Sequence, residues 1–211
     1  MSYIVPTVTA YDTHDYRMQM DRITPFAKRI HIDLMDGVFA PTKSPDIDKI
    51  WLPKDIICDM HVMFLHPHRI VKKVAVLKPS ILIVQAEADM ESVMQARTQL
   101  LGSTIRFGVS MLPETDPLDP RYIELTKTSR YVLIFSGHLG YHGGKADLSL
   151  LDKVKKIRSV NPRAEIGWDG GISTDNVAIL SEAGIDVLNV GGAIQKSMDP
   201  RKSYDGLVAL A

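Results

Sequence analysis

The chain of 211 residues has one cysteine, Cys58, so no intramolecular disulfide framework can form, and there are too few thiols for a zinc ribbon. A reducing compartment, the cytoplasm, is the expected location. Charge excess is also missing: Lys and Arg number 25, Asp and Glu number 25, and the formal net charge is +0. That balance argues against a protein that coats nucleic acid or an anionic membrane, so any anion it binds must be held by local geometry. No apolar run approaches the roughly 18 residues of a membrane span. The opening MSYIVPTVTAYD lacks the basic-then-apolar pattern of a signal peptide. No Ser/Gly-rich linker or low-complexity tract interrupts the chain, and no charge block exceeds Lys72-Lys73 or Lys155-Lys156. One domain over residues 1–211 is expected.

What the chain does have is an alternation. Short apolar or β-branched runs recur at Tyr3 to Val8, Arg29 to Leu34, Ile56 to Met63, Ser80 to Val84, Thr104 to Ser110, Arg130 to Ser136, Glu165 to Trp168 and Asp186 to Val190. Helical spacing lies between them at His68 to Leu77, Met90 to Leu101, Leu148 to Ser159 and Thr174 to Ala183. Thr174 is a candidate helix cap. Asp116-Pro117 and Asp199-Pro200 place proline in a first turn, and Gly102 and Gly184 fall just past helix ends. Pro41, Pro45 and Pro53 leave room only for a short helix around Asp46 to Trp51. Strand and helix in this rhythm predict parallel βαβ units, and about eight of them in this length favour a (β/α)8 TIM barrel.

Strands buried on both faces should be almost wholly apolar, and two are not. Period-2 alternation puts His31, Asp33 and Met35 on one face of the second strand, and Asp59, His61 and Met63 on one face of the third. A further carboxylate, Asp169, ends the seventh strand in Gly-Trp-Asp-Gly-Gly. Buried imidazoles and carboxylates must be paired or bound to metal. A hydrogen-bonded pair joining two strands would satisfy that requirement, but several such groups converging suit a borderline divalent ion, Zn²⁺, Mn²⁺, Fe²⁺ or Co²⁺. Gly170-Gly171 and Gly191-Gly192 follow the seventh and eighth strands, where barrels commonly hold phosphate on backbone amides. A third glycine-rich run, Ser136 to Gly144, has the composition of a mobile lid or an ordinary surface loop.

The segment from His31 to Pro41, with its His-x-Asp-x-Met-Asp-Gly core, resembles the second-strand signature of the ribulose-phosphate 3-epimerase family. The likeness continues through Asp59-Met-His61-Val-Met63, Ala86-Glu87-Ala88, the loop at Gly140 to Gly144, Asp169-Gly170-Gly171-Ile172 and Gly191-Gly192-Ala193-Ile194. It spans essentially the whole chain. The resemblance implies a metal-dependent 3-epimerase of a ketose phosphate, D-ribulose 5-phosphate to D-xylulose 5-phosphate in the first instance, and a homo-oligomer. It implies one divalent metal ion on His31, Asp33, His61 and Asp169, with Asp33 and Asp169 also transferring the protons through an enediolate. Thr7, Met35, Met63, Gly140, Gly143, Gly144, Gly170, Gly171, Gly191 and Gly192 would meet the phosphorylated ketose.

Several positions depart from that pattern. The family usually has Ser at Thr7, His at Gln85, a small aliphatic at Trp168 and often Ser at Gly192, and the segment from Phe135 to Lys145 loses a Met, a Glu and a Pro and gains a residue. Epimerisation of a ketohexose 6-phosphate of the allulose type is therefore the alternative. A related decarboxylase or aldolase barrel would need Lys in an Asp-x-Lys-x-x-Asp motif, where Met35 stands. A non-catalytic sugar-phosphate binder would have lost one of the four polar groups, and none is missing.

Overall fold

The structure, a computed structural model, describes residues 2–211. Its strands are β1 (Tyr3–Thr9), β2 (Arg29–Met35), β3 (Ile57–Met63), β4 (Ile81–Gln85), β5 (Arg106–Met111), β6 (Tyr131–Phe135), β7 (Glu165–Asp169) and β8 (Val187–Val190). They pair in sequence order, all parallel, and β8 returns to β1, so the sheet closes into a barrel. Each lies within two residues of the run the alternation picks out.

The helices are α1 (Thr13–Ile23), α2 (Val71–Leu77), α3 (Met90–Gln99), α4 (Ile123–Thr128), α5 (Asp152–Val160), α6 (Val177–Glu182), α7 (Gly192–Gln195) and α8 (Pro200–Leu210). The unit after β2 has only a 3₁₀ turn, Ile47–Lys49, as its prolines require. Asp199 caps α8 through the Lys202 amide with Pro200 in the first turn, as expected. Two helix starts differ. Asn176, not Thr174, is the residue before α6, and its side chain accepts from the Ser173 amide. Asp116-Pro117 opens a turn in which Asp116 accepts from the Leu118 amide, and α4 begins only at Ile123, because Pro120 disfavours helical backbone at Asp119. The chain also forms α1, outside the stretches singled out by spacing. Asp12 caps it, and Tyr16, Met20 and Ile23 are its buried stripe.

Alternation along the strands builds two cores. Outward residues such as Ile30, Ile32, Leu34, Met60, Val62, Leu82 and Val84 pack with the helices in one large cluster. Inward residues Val5, Ile81, Ile83, Tyr131, Leu133 and Val187 fill the barrel itself. Each fully buried aliphatic side chain contributes roughly 1.5–3 kcal/mol. Gly167 makes the interior closable: a Cβ there would overlap the Tyr131 hydroxyl, so only glycine admits that buried ring. Below this core, Arg29 reaches Asp59 at 2.5 Å and Glu165 at 2.6 Å, forming an ionic plug. Above it, toward the carboxyl ends of the strands, the interior turns polar.

Candidate active site

His31 and Asp33 come from β2, His61 from β3 and Asp169 from the end of β7, and one ligand-type atom from each lies within 4.8 Å of the others. All four side chains are buried. Asp33 is the hub: its Oδ1 is 3.0 Å from His61 Nδ1 and 3.3 Å from His31 Nε2, and its Oδ2 accepts from the Thr9 hydroxyl at 2.7 Å. His31 Nε2 is 3.9 Å from Asp169 Oδ2.

Asp59 shares the inward face with His61 but does not join the cluster. Its carboxylate turns to Arg29, which has the same inward parity two residues before His31. Period-2 alternation identifies a face and is blind to which partner a charge finds on it.

The environment separates the two carboxyls. Burial works against ionisation of Asp33, but the imidazoles of His31 and His61 beside it outweigh that and hold the carboxyl well below the usual range. For Asp169, burial and then the charge of Asp33 push the carboxyl up to about 7. Burial depresses His61, while in His31 the pull of Asp33 overcomes burial and raises it. One ionised and one readily protonated carboxyl side by side is the arrangement that divides base from acid.

The same residues fit a divalent cation. Two imidazoles and two carboxylates are a suitable borderline donor set. Both ring nitrogens of His31 are buried without a hydrogen-bond partner, which is costly for a polar group unless something else binds it. A bound cation would also favour the ionised form of both carboxyls.

Asp33 and Asp169 form the floor of a cavity of about 570 Å³. Thr7, Met63, Gly140, Gly143, Gly144, Gly170, Gly171, Gly191 and Gly192 all line it. Met35 does not. It packs behind the wall with Met63 and Ala40, and its sulfur lies 3.0 Å from the Thr42 oxygen. The loop after β6 covers the cavity: Thr42 binds the Gly140 carbonyl at 2.6 Å, and Tyr11 packs edge-on against His142 at 5.3 Å. Gly170 and Gly171 have φ of +114° and +70°, and side chains there would strike the backbone of Gly137 and Ala146. These glycines let the covering loop seat against the strand end.

Trp168, one of the departures from the family pattern, does not touch the cavity. Even parity turns it outward, where it is fully buried and its indole N–H donates to the Gly170 carbonyl at 3.0 Å. Thr9, Tyr11, His142 and Asn189 are site neighbours that sequence reasoning missed. Thr9 could have been found, since it shares parity with Thr7; the loop contacts could not.

A closed parallel barrel with polar groups gathered at its carboxyl-terminal strand ends defines the class of (β/α)8-barrel enzymes. The sequence matches the ribulose-phosphate 3 epimerase family over residues 3–195, and the chain belongs to that family. It is accordingly a carbohydrate isomerase of the epimerase kind. The ribulose-phosphate 3-epimerase of Helicobacter pylori (strain J99) is 27% identical over 212 residues, covering 97% of this chain and 95% of that one. That of Bacillus subtilis (strain 168) is 30% identical over 185 residues, with 82% of each covered. Among solved structures, a 3-hexulose-6-phosphate synthase superposes with a TM-score of 0.75 at 16% identity, covering 100% of this chain and 99% of that one. At that identity the likeness is one of fold alone.

Proposed function

We propose that this chain inverts C3 of a phosphorylated ketose, D-ribulose 5-phosphate to D-xylulose 5-phosphate. The carrying observation is the pair Asp33 and Asp169, both buried, gathered with His31 and His61 and placed on the floor of one cavity. Inversion next to a ketone needs a proton removed from one face and another delivered to the opposite face, so it needs two groups of unequal proton affinity. One carboxylate takes the C3 proton, the other returns a proton to the opposite face of the enediolate, and the roles exchange in the reverse direction. His31, Asp33, His61 and Asp169 would hold one divalent ion, Zn²⁺, Mn²⁺, Fe²⁺ or Co²⁺. Bound there, it supplies charge stabilisation to the enediolate oxygens. Thr9 keeps Asp33 oriented. Met63 presents a nonprotic wall, and amides of Gly170, Gly171, Gly191 and Gly192 at the cavity rim suit the phosphate.

A ketohexose 6-phosphate is the second reading, favoured by the wall that His138, Tyr141 and His142 contribute from the reshaped loop. Protein stripped of metal and reloaded with each of the four ions is expected to incorporate solvent deuterium at C3 of ribulose 5-phosphate. No exchange on any pentulose or hexulose phosphate would overturn the epimerase reading, and a preference for the hexulose would select the second. Asp33→Asn and Asp169→Asn are each expected to stop turnover; near-parental rate in either would remove the two-carboxylate assignment.

A further inference from the structure

Gln85 ends β4 inside the barrel, fully buried, with its amide nitrogen 3.0 Å from His61 Nε2. The opposite ring nitrogen, Nδ1, points at Asp33 Oδ1, 3.0 Å away, and so faces the cluster of His31, Asp33 and Asp169. A neutral imidazole has one N–H and one lone pair, so whatever Gln85 presents to Nε2 decides what Nδ1 presents to the cluster. With the amide N–H donating to Nε2, the ring proton is forced onto Nδ1 and no lone pair remains for a cation. That orientation also leaves Gln85 Oε1 buried without a partner.

Half a turn of the amide reverses both consequences. Oε1 then accepts from Nε2–H, and the Nδ1 lone pair is directed into the cluster. The displaced NH₂ swings to the side where Oε1 lay. The orphaned oxygen, Gln85 Oε1, thus gains a partner by one rotation.

We propose that Gln85 is a positioning residue for the metal site: its amide oxygen, set against His61 Nε2–H, fixes the imidazole tautomer whose Nδ1 binds a divalent cation. This rests on the reading of His31, Asp33, His61 and Asp169 as the metal ligands. It assigns a role to the position where the family pattern has histidine.

The test uses the full chain with Zn²⁺ alone as the probe, affinity measured by competition with a chromophoric chelator, and ring ¹⁵N shifts read by NMR. In zinc-loaded parent, His61 is expected to carry its proton on Nε2 and the metal on Nδ1. Gln85→Leu is expected to weaken zinc binding roughly 10–100-fold, the usual effect of removing a partner of a metal-bound histidine. Gln85→Glu, which keeps an acceptor oxygen at the same place, is expected to retain parental affinity, and the zinc-free melting temperatures separate this effect from loss of fold. Parental affinity in Gln85→Leu, when His61→Ala has lost it, would overturn this proposal and leave the metal site standing. Zinc-loaded parent with its proton on Nδ1 would overturn it without any variant. A parent chain that binds no zinc would overturn the metal reading itself.

Discussion

Replacing Arg29 with methionine removes a charge and keeps most of the apolar stem. In the folded chain Arg29 meets Asp59 at 2.5 Å and Glu165 at 2.6 Å, and the Asp59 side chain has no exposure. The second oxygen of Asp59 already lacks a partner, so the variant leaves a carboxylate in the barrel with nothing to offset its desolvation. Breaking a buried pair by deleting one partner costs about 3–5 kcal/mol. The partly exposed Glu165 contact adds little, about 0–1 kcal/mol. For a chain of this size each 1 kcal/mol is worth about 2–4 °C, so melting should fall by roughly 6–24 °C.

Burial raises the Asp59 carboxyl above its ordinary value, with Arg29 opposing that rise, and losing Arg29 raises it further. A carboxyl raised in the folded state supports folding while protonated, and that support is lost as the pH climbs through the folded pKa. The deficit of Arg29→Met should therefore be small near pH about 4, close to the unfolded pKa of Asp, and largest at neutrality. Urea denaturation of parent, Arg29→Met, Asp59→Leu and the double variant across pH gives the cycle, and the double variant should recover most of the loss. A cost below about 1 kcal/mol at neutrality, within the range of an exposed pair, would refute the reasoning. So would a double variant as unstable as Arg29→Met alone.

Thr9→Val removes the 2.7 Å hydrogen bond to Asp33 and should lower kcat roughly 10–150-fold, the worth of a bond to a charged group, while Thr9→Ser keeps the rate; equal rates in both would dismiss the contact. Gly167→Ala forces a Cβ into the Tyr131 ring, with Leu133 Cδ1 at 2.9 Å, and should destabilise by about 1–3 kcal/mol or more in urea melts. Trp168→Phe should lose about 1–3 kcal/mol through the unpaired Gly170 carbonyl with KM unchanged, because the indole lies outside the cavity; a shifted KM at parental stability would contradict that placement. Burial, then the charge of Asp59, pushes the Cys58 thiol up to about 12, so iodoacetamide at pH 8 should label the unfolded chain and spare the folded one.

The barrel was legible because it is written in periodicities. Apolar runs of strand length at even spacing left few alternatives to a closed parallel sheet, and each strand falls close to its expected bounds. The helix starts were less legible. Asp116-Pro117 has the right residues for one, and Pro120 downstream cancels it, an effect that a scan for local start signals does not weigh.

The order of residues alone determined that His31 and Asp33, and likewise Asp59 and His61, look inward, since strand side chains alternate whatever surrounds them. It also determined that Trp168 looks away from Asp169, a consequence of parity that matters once the barrel is seen. Only the closed barrel decided that Asp59 pairs with Arg29 while Asp169, more than a hundred residues away in sequence, completes the set on Asp33. The same is true of the loop over the cavity, which depends on Tyr11 and Thr42 meeting Gly140 and His142. Parity is a local property of the backbone, but the partner a buried charge finds depends on which strands closure brings together.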